Sequence, residues 1–247
     1  MWWLVNASNR PLLETYCDLT AIGILAVASK FPGFLNIFLT AFNSSWVISV
    51  IEEYRREHFT EFFNKGLHFF AFLLTMVALF ICAISDIIID IFTSGTDYLS
   101  AWKFIPLLAL STIFSCMAGL VGTVFSAVRK SVYYFYSSIW AAITAVILNY
   151  ILISSIGLWG AVISSCLSMF VMLFSRILYS RKYVKYKCIT PYIIDISFFL
   201  CVFCMKLLID DVVLSYTLIT LLIFMFILFN KKYFVTFYRI IRNRIIK

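Results

Sequence analysis

Residues 66–85 read GLHFFAFLLTMVALFICAIS, twenty positions without an Asp, Glu, Lys or Arg. A helix rises about 1.5 Å per residue, so roughly 20 apolar residues cross the hydrocarbon core of a bilayer. This run reads as a membrane span. Working outward, residues 21–51, 104–128, 132–153, 158–175, 192–209 and 212–229 are apolar stretches long enough to do the same. The fold class is all-α: a polytopic membrane helical bundle of about seven transmembrane helices. A hydrophobic fraction of 63% against 13% charged residues excludes a soluble globular fold.

The charges give an orientation. The gap with Arg55, Arg56 and Lys65, the gap with Arg129 and Lys130, the stretch from Arg176 to Lys187 and the tail from Lys231 onward hold 16 of the 20 Lys and Arg residues. Arg10, Lys103 and Lys206 fall at the opposite ends. Short basic loops resist translocation and stay cytoplasmic, so the N-terminus is expected outside and the C-terminus inside, a parity that seven crossings satisfy. The net charge of +8 sits in these juxtamembrane clusters rather than on a polar domain, which points to topology and anionic membrane lipids and not to nucleic acid. Cys201 and Cys204 form a C-x-x-C inside an apolar helix with no second pair, and read as packing residues; His58 and His68 have no ligand cluster around them. No metal, cofactor or catalytic residue is expected.

Met1 to Val5 is apolar but lacks the basic region of a signal peptide. It reads like the last turn of a helix cut short, so the chain is expected to be the C-terminal part of a longer protein. Between Glu52 and Lys65, Glu53, Arg56, Glu57 and Glu61 fall on one helical face, which predicts a short helix lying on the cytoplasmic surface. The tail, residues 231–247, interleaves aromatic and basic residues as an interfacial amphipathic helix does.

Polar residues inside the spans mark the candidate sites. Ser29, Gly33, Asn36, Thr40 and Asn43 follow steps of four, three, four and three, within an arc of about 80°. A polar stripe in hydrocarbon must face protein or water. Lys30 lies beside it and is either a functional cation or a side chain reaching back to the surface. Ser111, Ser115, Gly119, Gly122 and Ser126 form a second small-residue face; Gly157, Ala161, Ser164 and Ser168 form a third. Such faces let helices approach closely, whether for static packing or for sliding. Asp86 and Asp90, four apart, either bind a coupling ion or merely terminate a span. Asp195 either relays protons or meets Lys185 and Lys187 in the basic loop.

Several segments resemble a known family. Asn6 to Arg10, Ala21 to Ile24 and Ala26 to Lys30, then Gly95 to Tyr98 with Ala101 and Ile105 to Leu108, then Ala142 to Asn149, Ile153 and Gly157 to Ala161 look like the ordered motifs of bacterial polysaccharide flippases. These belong to the multidrug/oligosaccharidyl-lipid/polysaccharide exporter superfamily, and the chain resembles their C-terminal half. Asn9 and Ser154 depart from the pattern, standing where an acidic residue and a Pro are common.

The resemblance implies the C-terminal bundle of a MATE-like exporter fold in the bacterial inner membrane. It divides the chain into a truncated helix and outer loop (1–19), a flippase-like bundle of five spans (20–187), two additional spans (188–230) and a basic tail (231–247). It implies alternating access that flips undecaprenyl-pyrophosphate-linked oligosaccharide repeat units, O-antigen or capsule precursors. The partner would be the missing N-terminal bundle or a second copy. Arg10 and Lys30 become candidate contacts for the pyrophosphate, and Asn36, Thr40 and Asn43 for sugar hydroxyls. Asp86, Asp90 and Asp195 would couple ions if the chain were instead a drug/cation antiporter of the same superfamily. A polysaccharide polymerase or ligase is the enzyme alternative, but the outer loops are short and carry no His.

Overall fold

The structure, a computed structural model, describes residues 11–93, 97–186, 190–208 and 212–231. Arg10, the apolar N-terminal turn, Gly95 and Thr96, Lys187 and the tail beyond Lys231 lie outside the described residues. The described chain is helical, without a strand. A short helix α1 (11–16) precedes α2 (Leu19–Glu53), α3 (Phe59–Thr93), a 3-10 turn (Asp97–Lys103), α4 (Ile105–Ala127), α5 (Val132–Ile156), α6 (Leu158–Ser180), α7 (Thr190–Leu208) and α8 (Val212–Phe229). Six of these, α2 to α7, are long and apolar enough to cross a membrane, while the apolar part of α8, Leu214–Phe229, is shorter.

Contacts define two ends. At one, Asn64 of α3 donates to the Lys185 carbonyl at 3.0 Å, and Tyr133 stacks on Tyr179 with centroids 5.4 Å apart. This is the basic end. At the other, Phe104 meets Trp159 at 4.7 Å and Lys206 reaches Asp86. Gly157 joins α5 to α6 there with φ +59, a left-handed conformation that only glycine adopts without strain.

α4 is the central helix, buried from Ile105 to Phe125 with few exceptions. Its own sequence explains why: Ala109, Ala118 and Gly122 keep its surface low, and neighbours close on every side. It packs against α2 and α6, and more lightly against α3. α5 packs chiefly on α6, touches α4 through Tyr133 and Tyr134 at its start, and turns Val132, Phe135, Trp140, Ile143, Val146, Ile147 and Ile151 outward. α7 and α8 lean on α3.

Two expectations are corrected. The stretch from Glu52 to Lys65 is not a separate surface helix: it ends α2, turns at 54–58 and begins α3. Phe59 and Phe63 are buried, Tyr54 sits edge-on to Phe59 at 5.1 Å, and Trp46 lies 5.7 Å from Phe63, so aromatic burial draws this stretch into the bundle. Arg176 is not a loop residue either. α6 continues to Ser180, and the Arg176 side chain lies buried among α4, α5 and α6.

Candidate transport face

α2 has one packed side and one open side. Ala28, Leu35, Trp46 and Val50 are buried against the bundle, and the Trp46 indole N–H donates to the Leu120 carbonyl of α4 at 3.5 Å. On an ideal wheel the polar stripe is centred about 90° from this packed side. It runs along the seam where packed surface gives way to open surface. Ser29, Thr40 and Asn43 are exposed, Asn36 and Gly33 are partly so, and a Cβ on Gly33 would meet nothing within 4 Å. Ser29 Oγ donates to the Ala26 carbonyl at 3.0 Å and Thr40 Oγ1 to the Asn36 carbonyl at 2.7 Å. Both hydroxyls thus satisfy their protons locally and keep lone pairs facing outward. The Cys116 thiol of α4 donates to Asn36 Oδ1 at 3.6 Å, which holds that amide at the seam. Lys30 is exposed in the middle of the open side, a cation beside a row of hydrogen-bonding groups.

The structure does not bring the three candidate ion-coupling carboxylates together. Asp86, half-buried near the end of α3, accepts from Lys206 Nζ at 2.9 Å. The same ammonium donates to Ser85 Oγ at 2.9 Å and to the Cys82 carbonyl, and lies 5.8 Å from the Trp102 ring. Asp90, one turn on, is exposed. Asp195 is buried toward the basic end and accepts from Asn230 Nδ2 at 3.1 Å. Among the described residues it enters no ion pair, so the expected contact with Lys185 is absent. Burial between α7 and α8 turns the carboxylate toward the Asn230 amide and away from the exposed lysine. No group of His, Cys, Asp and Glu among the described residues could hold a metal ion.

Two buried cations escaped the sequence reading. Arg176 donates to the Ala118 carbonyl at 2.8 Å and to Ser137 Oγ at 3.2 Å, and its guanidinium lies 5.0 Å from the Tyr134 ring. It clasps α4, α5 and α6 at one point. Gly122 leaves the space that the Tyr134 ring occupies. Lys206 fastens α7 to α3. Both had a signal in the sequence: Arg176 continues the face of Ser164, Ser168 and Met172 at four-residue steps, and Lys206 follows Asp195, Phe199 and Val202 at steps of four, three and four.

No family model matches the chain, and no curated protein matches it. Among solved structures it is similar to one described as lipid II flippase MurJ in an inward closed conformation, with a TM-score of 0.69 at 17% identity. The match covers 97% of this chain and 52% of that one, so the chain spans about half the length of the structure it resembles. The likeness shows the fold: an all-helical bundle arranged like about half of that structure.

Proposed function

We propose that this chain forms one bundle of a two-bundle flippase for lipid-linked oligosaccharides, and that the seam of α2 lines the passage for the sugar-bearing headgroup. The observation that carries this reading is the exposed polar stripe. A row of amide, hydroxyl and glycine positions beside a lysine is costly against lipid and is relieved by water or by a facing bundle. The likeness to a structure described as a lipid II flippase supports a lipid-borne cargo.

In this reading Lys30, together with Arg10, attracts the pyrophosphate of an undecaprenyl-linked repeat unit, and Asn36, Thr40 and Asn43 exchange hydrogen bonds with sugar hydroxyls. The basic end faces the cytoplasm of a bacterial inner membrane. Rocking of the two bundles moves the headgroup across, and no covalent step is involved. The facing bundle is a preceding segment of the same protein or a second copy. The antiporter reading finds less support, because Asp86 is paired with the Lys206 ammonium, Asp195 accepts from Asn230, and the two stand at opposite ends of the bundle instead of sharing a site.

The test is complementation of a flippase-deficient strain with the chain in its full-length context. Lys30→Ala combined with Arg10→Ala should lower surface polysaccharide while leaving membrane protein level unchanged. Unaltered polymer with both substitutions would sink the headgroup assignment.

A further inference from the structure

The cations of the basic end are divided unevenly between its turns. At the α2–α3 turn, Arg55, Arg56 and Lys65 stand among Glu52, Glu53, Glu57 and Glu61. Two ion pairs form there, Arg56 to Glu53 at 2.7 Å and Lys65 to Glu61 at 2.8 Å. Between Asp97 and Asp195, by contrast, the sequence holds no acidic residue. The α4–α5 and α6–α7 turns lie inside that interval. Arg129, Lys130, Arg181, Lys182 and Lys185 are all exposed there, and none enters an ion pair among the described residues.

These two turns are joined into one surface. Lys130 Nζ lies 5.7 Å from the Tyr183 ring, that ring packs against Tyr133 with centroids 6.4 Å apart, and Tyr133 in turn stacks on Tyr179. Arg129 adopts φ 59 while the Lys130 N–H bonds back to the Phe125 carbonyl at 2.9 Å, so the end of α4 is fixed by its own backbone. Val132, Phe135 and Tyr136 follow immediately, exposed on the first turns of the span-length helix α5, and aromatic side chains at a span's end favour the headgroup level.

We infer that this five-cation surface is a docking site for the phosphate headgroups of anionic phospholipids, and that the charge-neutralised α2–α3 turn at the same end is not. A bilayer is favoured over an acidic soluble protein because the cations are continuous with exposed apolar side chains of a membrane span. Each Lys or Arg near an anionic surface contributes roughly fivefold in affinity, and only cations without an internal carboxylate partner contribute in full. The inference stands apart from the transport reading, since none of these residues lies on the α2 seam.

The experiment is native mass spectrometry of the purified full chain in detergent, supplied with phosphatidylglycerol or phosphatidylcholine. The protein should retain phosphatidylglycerol preferentially. Lys130→Gln/Arg181→Gln/Lys182→Gln should reduce that preference by roughly tenfold or more, whereas Arg55→Gln/Arg56→Gln/Lys65→Gln should keep it. Tyr183→Leu, which removes the ring between Lys130 and Tyr133 and leaves every charge in place, should weaken it by a smaller factor. Equal retention of the two lipids by the unaltered protein, an unchanged preference in the first variant, or an equal loss in the second would each overturn the proposal. Displacement of phosphatidylglycerol by millimolar inorganic phosphate would also overturn it, in favour of a soluble phosphate compound.

Discussion

α2 and α6 both carry small and polar residues at steps of three and four, and the bundle treats them oppositely. On α6, Gly160 lies so close to α5 that a Cβ would overlap the Leu152 carbonyl, Ser164 donates to Asn149 Oδ1, and Ser168 is fully buried. On α2, Gly33 faces open space and Thr40 and Asn43 are exposed. The difference comes from what lies opposite. α5 offers α6 a complementary polar group in Asn149 and a bare backbone at Leu152, while the described helices offer α2 little along its seam beyond the Cys116 thiol at Asn36. A polar face that finds its partners inside the chain is cement; one that does not is a surface awaiting a ligand or another bundle.

The contrast should break first at Gly160. Gly160→Leu forces a side chain into a backbone carbonyl that cannot move aside, and should cost about 3 kcal/mol or more, read as loss of monodisperse protein and a lower melting temperature in detergent. Gly33→Leu should leave both unchanged within about 0.5 kcal/mol. Comparable damage at the two glycines would mean that the α2 seam is packed after all.

The buried cations extend the comparison. Lys206→Met strands the Asp86 carboxylate and should destabilise by about 3 kcal/mol, and adding Asp86→Asn should recover most of the loss. A double variant as unstable as the single one would show that Lys206 acts through packing rather than charge. Lys30→Gln on the exposed seam should leave melting unaltered and instead lower flippase complementation by roughly tenfold, the worth of one charge-assisted hydrogen bond.

Much of the bundle was legible because span length and basic-gap alternation depend on the bilayer and not on neighbours. The start of α2, α5 and α6 lies within two residues of the sequence reading, and α5 and α6 overrun their expected ends. The overrun explains the miss at Arg176. A positive charge ordinarily marks the water boundary, but here the Ala118 carbonyl, Ser137 and Tyr134 receive it a turn inside the helix end. Glu52 to Lys65 misled for the converse reason: its charges look like a solvated face, and the fold follows its phenylalanines. For the site, the spacing of Ser29, Gly33, Asn36, Thr40 and Asn43 defined the stripe's width, but the side it would turn to depended on Leu35, Trp46 and Val50 finding α3 and α4.

The finest distinction between the two faces is chemical access. In a background with the native cysteines replaced, Thr40→Cys and Asn43→Cys should react with a membrane-impermeant thiol reagent, while Ser164→Cys and Ser168→Cys should stay protected. A lipid-facing cysteine would escape such a reagent, which is charged and partitions poorly into hydrocarbon, and would react only with an apolar one. Reaction at Thr40 and Asn43 with a charged reagent requires water along the seam, and a transport passage supplies it. Labelling by apolar reagents only would place the stripe against lipid and remove the support for headgroup passage. Thr40→Val should then be silent, whereas against a hydrated passage it should lower complementation by roughly twofold to fivefold, the worth of one neutral hydrogen bond.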